Sequence, residues 1–164
     1  MSVGAPDREQ YGPQAQPRPF ERGTDGPRVV LVGVDGTRTS ERAGWYAAGL
    51  ARRQGASLVV VFVNAPNGLV AMMPGVDAAA IQRSQDELTA ELRKDIKRAA
   101  HELGLPITFE CRRGDPYNEL RDAADEFQAD MVVVGASEQA GHRLVGSVAT
   151  RLVRTGRWPV VVVP

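Results

Sequence analysis

Two places in the chain hold residue types suited to an anion or a sugar. The first is Asp35-Gly36-Thr37, directly after the apolar run Val29 to Val34. The second runs from Gly135, at the end of Met131-Val132-Val133-Val134, to Gly146-Ser147, where a segment of helical periodicity begins. A strand ending in glycine, a polar loop and a Gly-Ser helix start is how an α/β sheet builds an anion site. The first N–H groups of the helix point outward, and its dipole favours negative charge there. Gly135 and Gly146 lack a Cβ and would let backbone come close to a ligand. Ser147 suits the N-cap of the helix, and its hydroxyl could instead meet a ligand. Asp35 has two readings as well. Its carboxylate could accept hydrogen bonds from ribose hydroxyls, or it could close a turn on its own backbone.

Elsewhere chemistry is sparse. The chain has no Gly-x4-Gly-Lys-Ser/Thr, no Gly-x-Ser-x-Gly and no Cys-x2-Cys. His101 reads as a helix C-terminal residue favoured by the dipole, and His142 falls in a loop. They form no metal set, and no independent catalytic constellation emerges. Cys111 alternates with Ile107 and Phe109, which reads as a buried, inert thiol. One cysteine allows no internal disulfide and fits a reducing compartment. Lys plus Arg and Asp plus Glu both number 20, so the net charge is zero. That disfavours a broad nucleic-acid or acidic-membrane surface. No apolar run suits a membrane helix and no secretory h-region is seen, so the cytoplasm is the expected location.

The 164 residues suffice for one domain with a real core. Residues 1–27 read as a disordered tail: five prolines, four glycines and few aliphatics cannot bury enough surface to offset chain entropy. A docking arm through Pro17-Arg18-Pro19-Phe20 is the alternative reading. The domain then spans 28–164. Strands are expected over Val29–Val34, Ser57–Val63, Ile107–Arg112, Met131–Val134 and Val160–Val163. The alternation in the third of these suggests a sheet edge. A first helix, capped by Thr39 or Ser40, carries Ala43, Ala47, Leu50 and Ala51 on one stripe and ends at Gly55. A loop with Pro66, Gly68, Pro74 and Gly75 leads to a long helix from Asp77 to Leu103, stopped by Gly104. Asp115-Pro116 places an N-cap and a first-turn proline on the next helix, and Val148 to Arg157 form the last. Strands alternating with helices make a parallel sheet covered on both faces, with ligands expected beyond the carboxyl ends of the strands.

From Arg28 to Pro164 the chain resembles a universal stress protein domain. The resemblance rests on Val34-Asp35-Gly36 with Ser40-Glu41-Arg42-Ala43, on Gly114-Asp115-Pro116, on Ala129-Asp130-Met131-Val132-Val133-Val134-Gly135, on Gly146-Ser147-Val148, and on Trp158-Pro159-Val160-Val161-Val162. It implies a doubly wound five-stranded sheet of order 3-2-1-4-5 and a homodimeric, cytoplasmic stress-response module. Some members of that family bind ATP and others do not. If a nucleotide binds here, the resemblance implies Val34, Asp35, Val63, Gly135, Gly146, Ser147 and Val148 as its contacts.

The ATP-binding branch carries Gly-x2-Gly-x9-Gly-Ser/Thr. Here Gly135 fits the first glycine, Glu138 stands at the second, and only Gln139 to Val145 precede Gly146-Ser147. The loop is therefore two residues short, as in the non-nucleotide branch. A carboxylate about 4 Å from a phosphate charge costs roughly 4 kcal/mol at an effective dielectric near 20, against about 8 kcal/mol for a micromolar affinity. Glu138 could avoid this by facing solvent or by holding a bridging Mg²⁺, and His142 and Arg143 could add positive charge. The expected function is thus a dimeric regulatory module with weak or absent nucleotide binding. An ATP-binding sensor using the Gly135 to Ser147 loop is the alternative, and a nucleotide-dependent enzyme a third reading. The implied strand order leaves Val160 to Val163 on an open edge, which a second copy of the chain would cover.

Overall fold

The structure, a computed structural model, describes residues 26–65, 74–75, 77–137 and 145–164. The tail before residue 26, Pro66 and Gly68 of the second loop, and Glu138, His142 and Arg143 lie outside the described residues. The element order is β1 (Val29–Val34), α1 (Arg38–Gln54), β2 (Ser57–Asn64), α2 (Ala78–Leu103), β3 (Ile107–Arg113), α3 (Pro116–Glu126), β4 (Met131–Gly135), α4 (Ser147–Thr155) and β5 (Val160–Val163). The five strands are all parallel and run in the order β3-β2-β1-β4-β5.

The period-2 alternation of side chains sorts the apolar runs onto the two faces of this sheet. Val30, Val32, Leu58, Val60 and Val133 face α1 and α2, packing on Ala43, Ala47 and Ala51. Leu31, Val59, Val61, Val132 and Val134 face α3 and α4, packing on Leu120, Ala124 and Leu152. Both layers of helices are thus anchored on central strands buried from either side. Among the described residues no helix is long and apolar enough to cross a membrane.

Local chemistry explains where the helices begin and end. Gly55, Gly104 and Gly156 each take a left-handed conformation at a helix C-cap, with φ of 63°, 57° and 65°. Asp77 caps α2 through Ala79 N–H at 2.9 Å. Asp115 caps α3 through Asn118 N–H at 3.0 Å, with Pro116 as the first helical residue. The cap of α1 is neither Thr39 nor Ser40 but Thr37, whose Oγ1 accepts from Ser40 N–H at 3.2 Å. The preceding turn explains the shift. Asp35 Oδ1 accepts from Thr37 N–H at 2.9 Å and from Thr37 Oγ1 at 2.6 Å, so the chain is ready for a helix as soon as Thr37 is passed.

Cys111 also departs from expectation. It is exposed, although β3 is an edge strand as the alternation suggested. Ile107 and Phe109 pack on the α1–α2 layer, but Cys111 does not belong to that layer. Its sulfur instead accepts from Asn64 Nδ2 at 3.7 Å.

Candidate functional site

β1 and β4 are neighbours, with Val30, Leu31 and Val32 paired to Met131, Val132 and Val133. Their carboxyl ends therefore open side by side, at the point where strand order reverses. A cleft of about 230 Å³ lies there. All seven positions implied for a nucleotide line it: Val34, Asp35, Val63, Gly135, Gly146, Ser147 and Val148.

One wall is the start of α1. Asp35 makes the turn on its own backbone that the sequence offered as one reading. Oδ1 is spent on the turn, whereas Oδ2 has no hydrogen bond among the described residues. Ser40 completes a compact polar cluster. Its hydroxyl donates to the Thr37 carbonyl at 2.9 Å and accepts from Asp35 N–H at 3.3 Å. The cluster fixes the Asp35 backbone at the lining of the cleft.

Gly135 also answers a packing need in this wall. A Cβ there would lie 2.6 Å from the Thr39 carbonyl carbon and 2.7 Å from Ser40 N. The end of β4 presses directly on the backbone of α1, and Thr39 Oγ1 donates to the Ala136 carbonyl at 2.8 Å to hold the contact. Gly33 makes a comparable close approach to α3, where a Cβ would lie 2.8 Å from Leu120 Cδ1.

The facing wall is the start of α4. Gly146, not Ser147, is its N-cap, at φ −61° and ψ 164°, with no side-chain cap. Ser147 is the first helical residue, and its exposed hydroxyl makes no hydrogen bond among the described residues. The first-turn N–H groups of Ser147 and Val148 are thus left without a side-chain acceptor. The axis of α4 is set against α3 by Arg151, which bonds Asp115 Oδ1 at 3.1 Å and lies 4.0 Å from the centre of the Tyr117 ring. The Tyr117 hydroxyl pairs with Thr155 Oγ1 at 2.6 Å.

Chemically, the cleft offers one free carboxylate oxygen and helix-start N–H groups across a partly apolar floor that includes Val61 and Val63. This suits a ribose at one side and an anionic group at the other. Among the described lining residues Asp35 is the one charged side chain, so an anion would be met there by backbone dipoles. No group of three or more potential metal ligands occurs among the described residues. Sequence reasoning missed Thr37, Thr39 and Ser40 as builders of the wall. The Asp-x-Thr spacing was the signal for Thr37, while nothing local marks Thr39 as the tie to Ala136.

A family model described as the universal stress protein family matches residues 27–164. A universal stress protein of Methanocaldococcus jannaschii is 29% identical over 138 residues, covering 83% of this chain and 81% of that protein. A universal stress protein of Mycobacterium tuberculosis is 33% identical over 138 residues, or 81% of this chain, which spans only 44% of that protein's length. Among solved structures, a universal stress protein in complex with cAMP superposes with a TM-score of 0.63 at 27% identity, covering 85% of this chain and 98% of that one.

Proposed function

The chain belongs to the universal stress protein family, and from that premise we propose that it is a stress-response regulatory module whose cleft takes an adenine nucleotide weakly. The observation that carries this reading is the single cleft lined by all seven implied positions. Asp35 Oδ2 would receive the ribose, and the N–H groups of Ser147 and Val148 would meet the phosphate. The residues fit such a group, and the solved relative in complex with cAMP supports the class of ligand. Three features argue for weakness. The cleft, at about 230 Å³, is below the roughly 300–1,000 Å³ usual for small-molecule sites. Its one charged described side chain is an anion. Glu138 stands in the loop where the ATP-binding pattern has glycine. The output is carried by protein contacts, with a homodimer formed through Val160, Val161, Val162 and Val163.

The alternative, a true ATP sensor, draws support from the uncapped start of α4, whose N–H groups no side chain consumes. Calorimetry with ATP, with and without Mg²⁺, separates the two. Weak binding predicts a wild-type Kd well above micromolar and a clear gain for Glu138→Gly. Low-micromolar ATP binding that Glu138→Gly leaves unchanged would overturn the proposal in favour of the sensor.

A further inference from the structure

Two polar side chains are buried among the described residues, Thr39 and Ser40. Ser40 is spent on its own turn, on the Thr37 carbonyl and the Asp35 N–H. Thr39 reaches much further. Its Oγ1 lies 2.8 Å from the Ala136 carbonyl oxygen and 3.2 Å from Thr37 Oγ1. A hydroxyl carries one hydrogen. That of Thr37 goes to Asp35 Oδ1 at 2.6 Å, so Thr37 can only accept from Thr39. One polar chain therefore runs from the Asp35 carboxylate through Thr37 and Thr39 to Ala136. Ala136 is held from its other side as well, since its N–H donates to the Val163 carbonyl at 2.7 Å. The next residue, Ser137, abuts the start of α4, where a Cβ on Gly146 would lie 3.1 Å from Ser137 Cβ. Asp35, Thr37, Thr39, Ala136, Ser137 and Gly146 all line the cleft. They form a strut that joins its two walls, with Thr39 in the middle. Packing does less for the first wall. Leu88 supports the turn at Gly36, but an apolar groove of about 350 Å³ opens between α1 and α2, and it shares Val34, Thr37 and Ser40 with the cleft as a common partition. At Thr37 and Ser40 the wall borders open space on both sides, and hydrogen bonds set its position.

We propose that Thr39 is a positioning residue of the cleft. Through Ala136 and Ser137 it fixes the spacing between Asp35, which would receive the ribose, and the N–H groups of Ser147 and Val148, which would meet the phosphate. The inference rests on the nucleotide reading of the cleft and adds to it the device that holds the two ends in register. A ligand that carries both a ribose and a phosphate gains from both ends only when they stand at the matching separation. A nucleoside uses one end and is indifferent to that separation. Thr39 therefore acts on the affinity that a phosphate adds, not on the ribose contact itself. A tie that served stability alone would act on both ligands alike.

The test titrates the full chain, labelled with ¹⁵N, with adenosine and with AMP, and reads each Kd from the amide shifts. The wild type is expected to bind AMP more tightly than adenosine, with the Ser147 and Val148 amides moving for AMP and not for adenosine. Thr39→Val keeps the shape of the side chain and removes its hydroxyl. It should weaken AMP about fivefold, the worth of one ordinary hydrogen bond, and leave adenosine within about twofold. Thr39→Ser should restore the AMP affinity. Should Thr39→Val fail to fold, Ser137→Gly removes the other bearing of the strut and is expected to give the same selective loss. A wild type that binds both ligands without preferring AMP overturns the inference alone. So does an equal loss for both ligands, an unchanged AMP affinity, or a Thr39→Ser protein as weak as Thr39→Val. A wild type that binds neither ligand overturns the nucleotide reading, and the inference with it.

Discussion

Replacing Gly135 with alanine isolates the contact between β4 and α1. Gly135 is not among the glycines of positive φ, so an alanine there carries no backbone strain of its own. The cost is one of space. The new Cβ would lie 2.6, 2.7 and 2.8 Å from three backbone atoms of Thr39 and Ser40, where ordinary contacts begin near 3.4 Å. Relief requires the first turn of α1 to retreat by about 0.8 Å. Backbone in a hydrogen-bonded helix cannot swing aside as a side chain can. Over-packing of this kind costs roughly 1–3 kcal/mol, and stretching the Thr39–Ala136 hydrogen bond adds about 1 kcal/mol. The expected loss is thus roughly 2–4 kcal/mol, a fall of about 10 °C in Tm for a domain of this size. Urea unfolding followed by circular dichroism, with the m-value checked for constancy, measures it. Gly146→Ala is the control. The tightest approach of its Cβ is to the Ser137 Cβ at 3.1 Å, with Ser137 backbone at 3.7 and 3.8 Å, the backbone angle is ordinary, and a loss below about 1 kcal/mol is expected. A Gly135→Ala loss under about 0.5 kcal/mol, or one no larger than that of Gly146→Ala, would refute the packing argument.

Ser147→Ala should change stability by less than about 0.5 kcal/mol, whereas loss of a true serine N-cap would cost about 1 kcal/mol; the same unfolding assay decides. Deletion of residues 1–26 should leave the thermal midpoint within a few degrees of the full chain. The apolar pattern begins only at Val29, so the deletion removes little buried surface, and a large drop in calorimetry would contradict this. The wild type should sediment as a dimer at micromolar concentration, and Val161→Lys or Val162→Lys should yield monomer, with circular dichroism selecting the variant that keeps the fold. A monomeric wild type, or a dimer indifferent to both substitutions, would remove β5 as the contact.

The contrast between the two sheet edges supports that last expectation. β3 carries Glu110, Arg112 and Arg113 along its length, which blunts an edge. β5 is four valines, each half-buried, with Val161 and Val163 turned to one layer and Val160 and Val162 to the other.

The strands are legible in the sequence because burial on both faces leaves an uninterrupted apolar run, as in Val29–Val34 and Met131–Val134. The start of α3 is legible because Asp115-Pro116 is a purely local device. The starts of α1 and α4 depend on one more residue of turn geometry. Asp35 draws Thr37 into its turn and makes it the cap, and Gly146 takes the cap angle itself, moving Ser147 inside the helix. Cys111 escapes the pattern because alternation reports which face a residue shares, not how far the covering helix extends along it. Gly135 suggests an opening for a ligand, although its missing Cβ answers to Thr39 and Ser40, far away in the chain. A contact of that kind leaves no trace in local pattern.

The partition formed by Val34, Thr37 and Ser40 has a thermodynamic consequence. Its far side is the groove and its near side is the cleft, and Thr37 and Ser40 are hydrogen-bonded to the residue that would hold the ribose. A wall shared by two sites is a route through which their ligands would be linked. Whatever factor an occupant of the groove applies to nucleotide affinity, the nucleotide applies to that occupant in return. A coupling measured from one side of the wall would hold equally from the other.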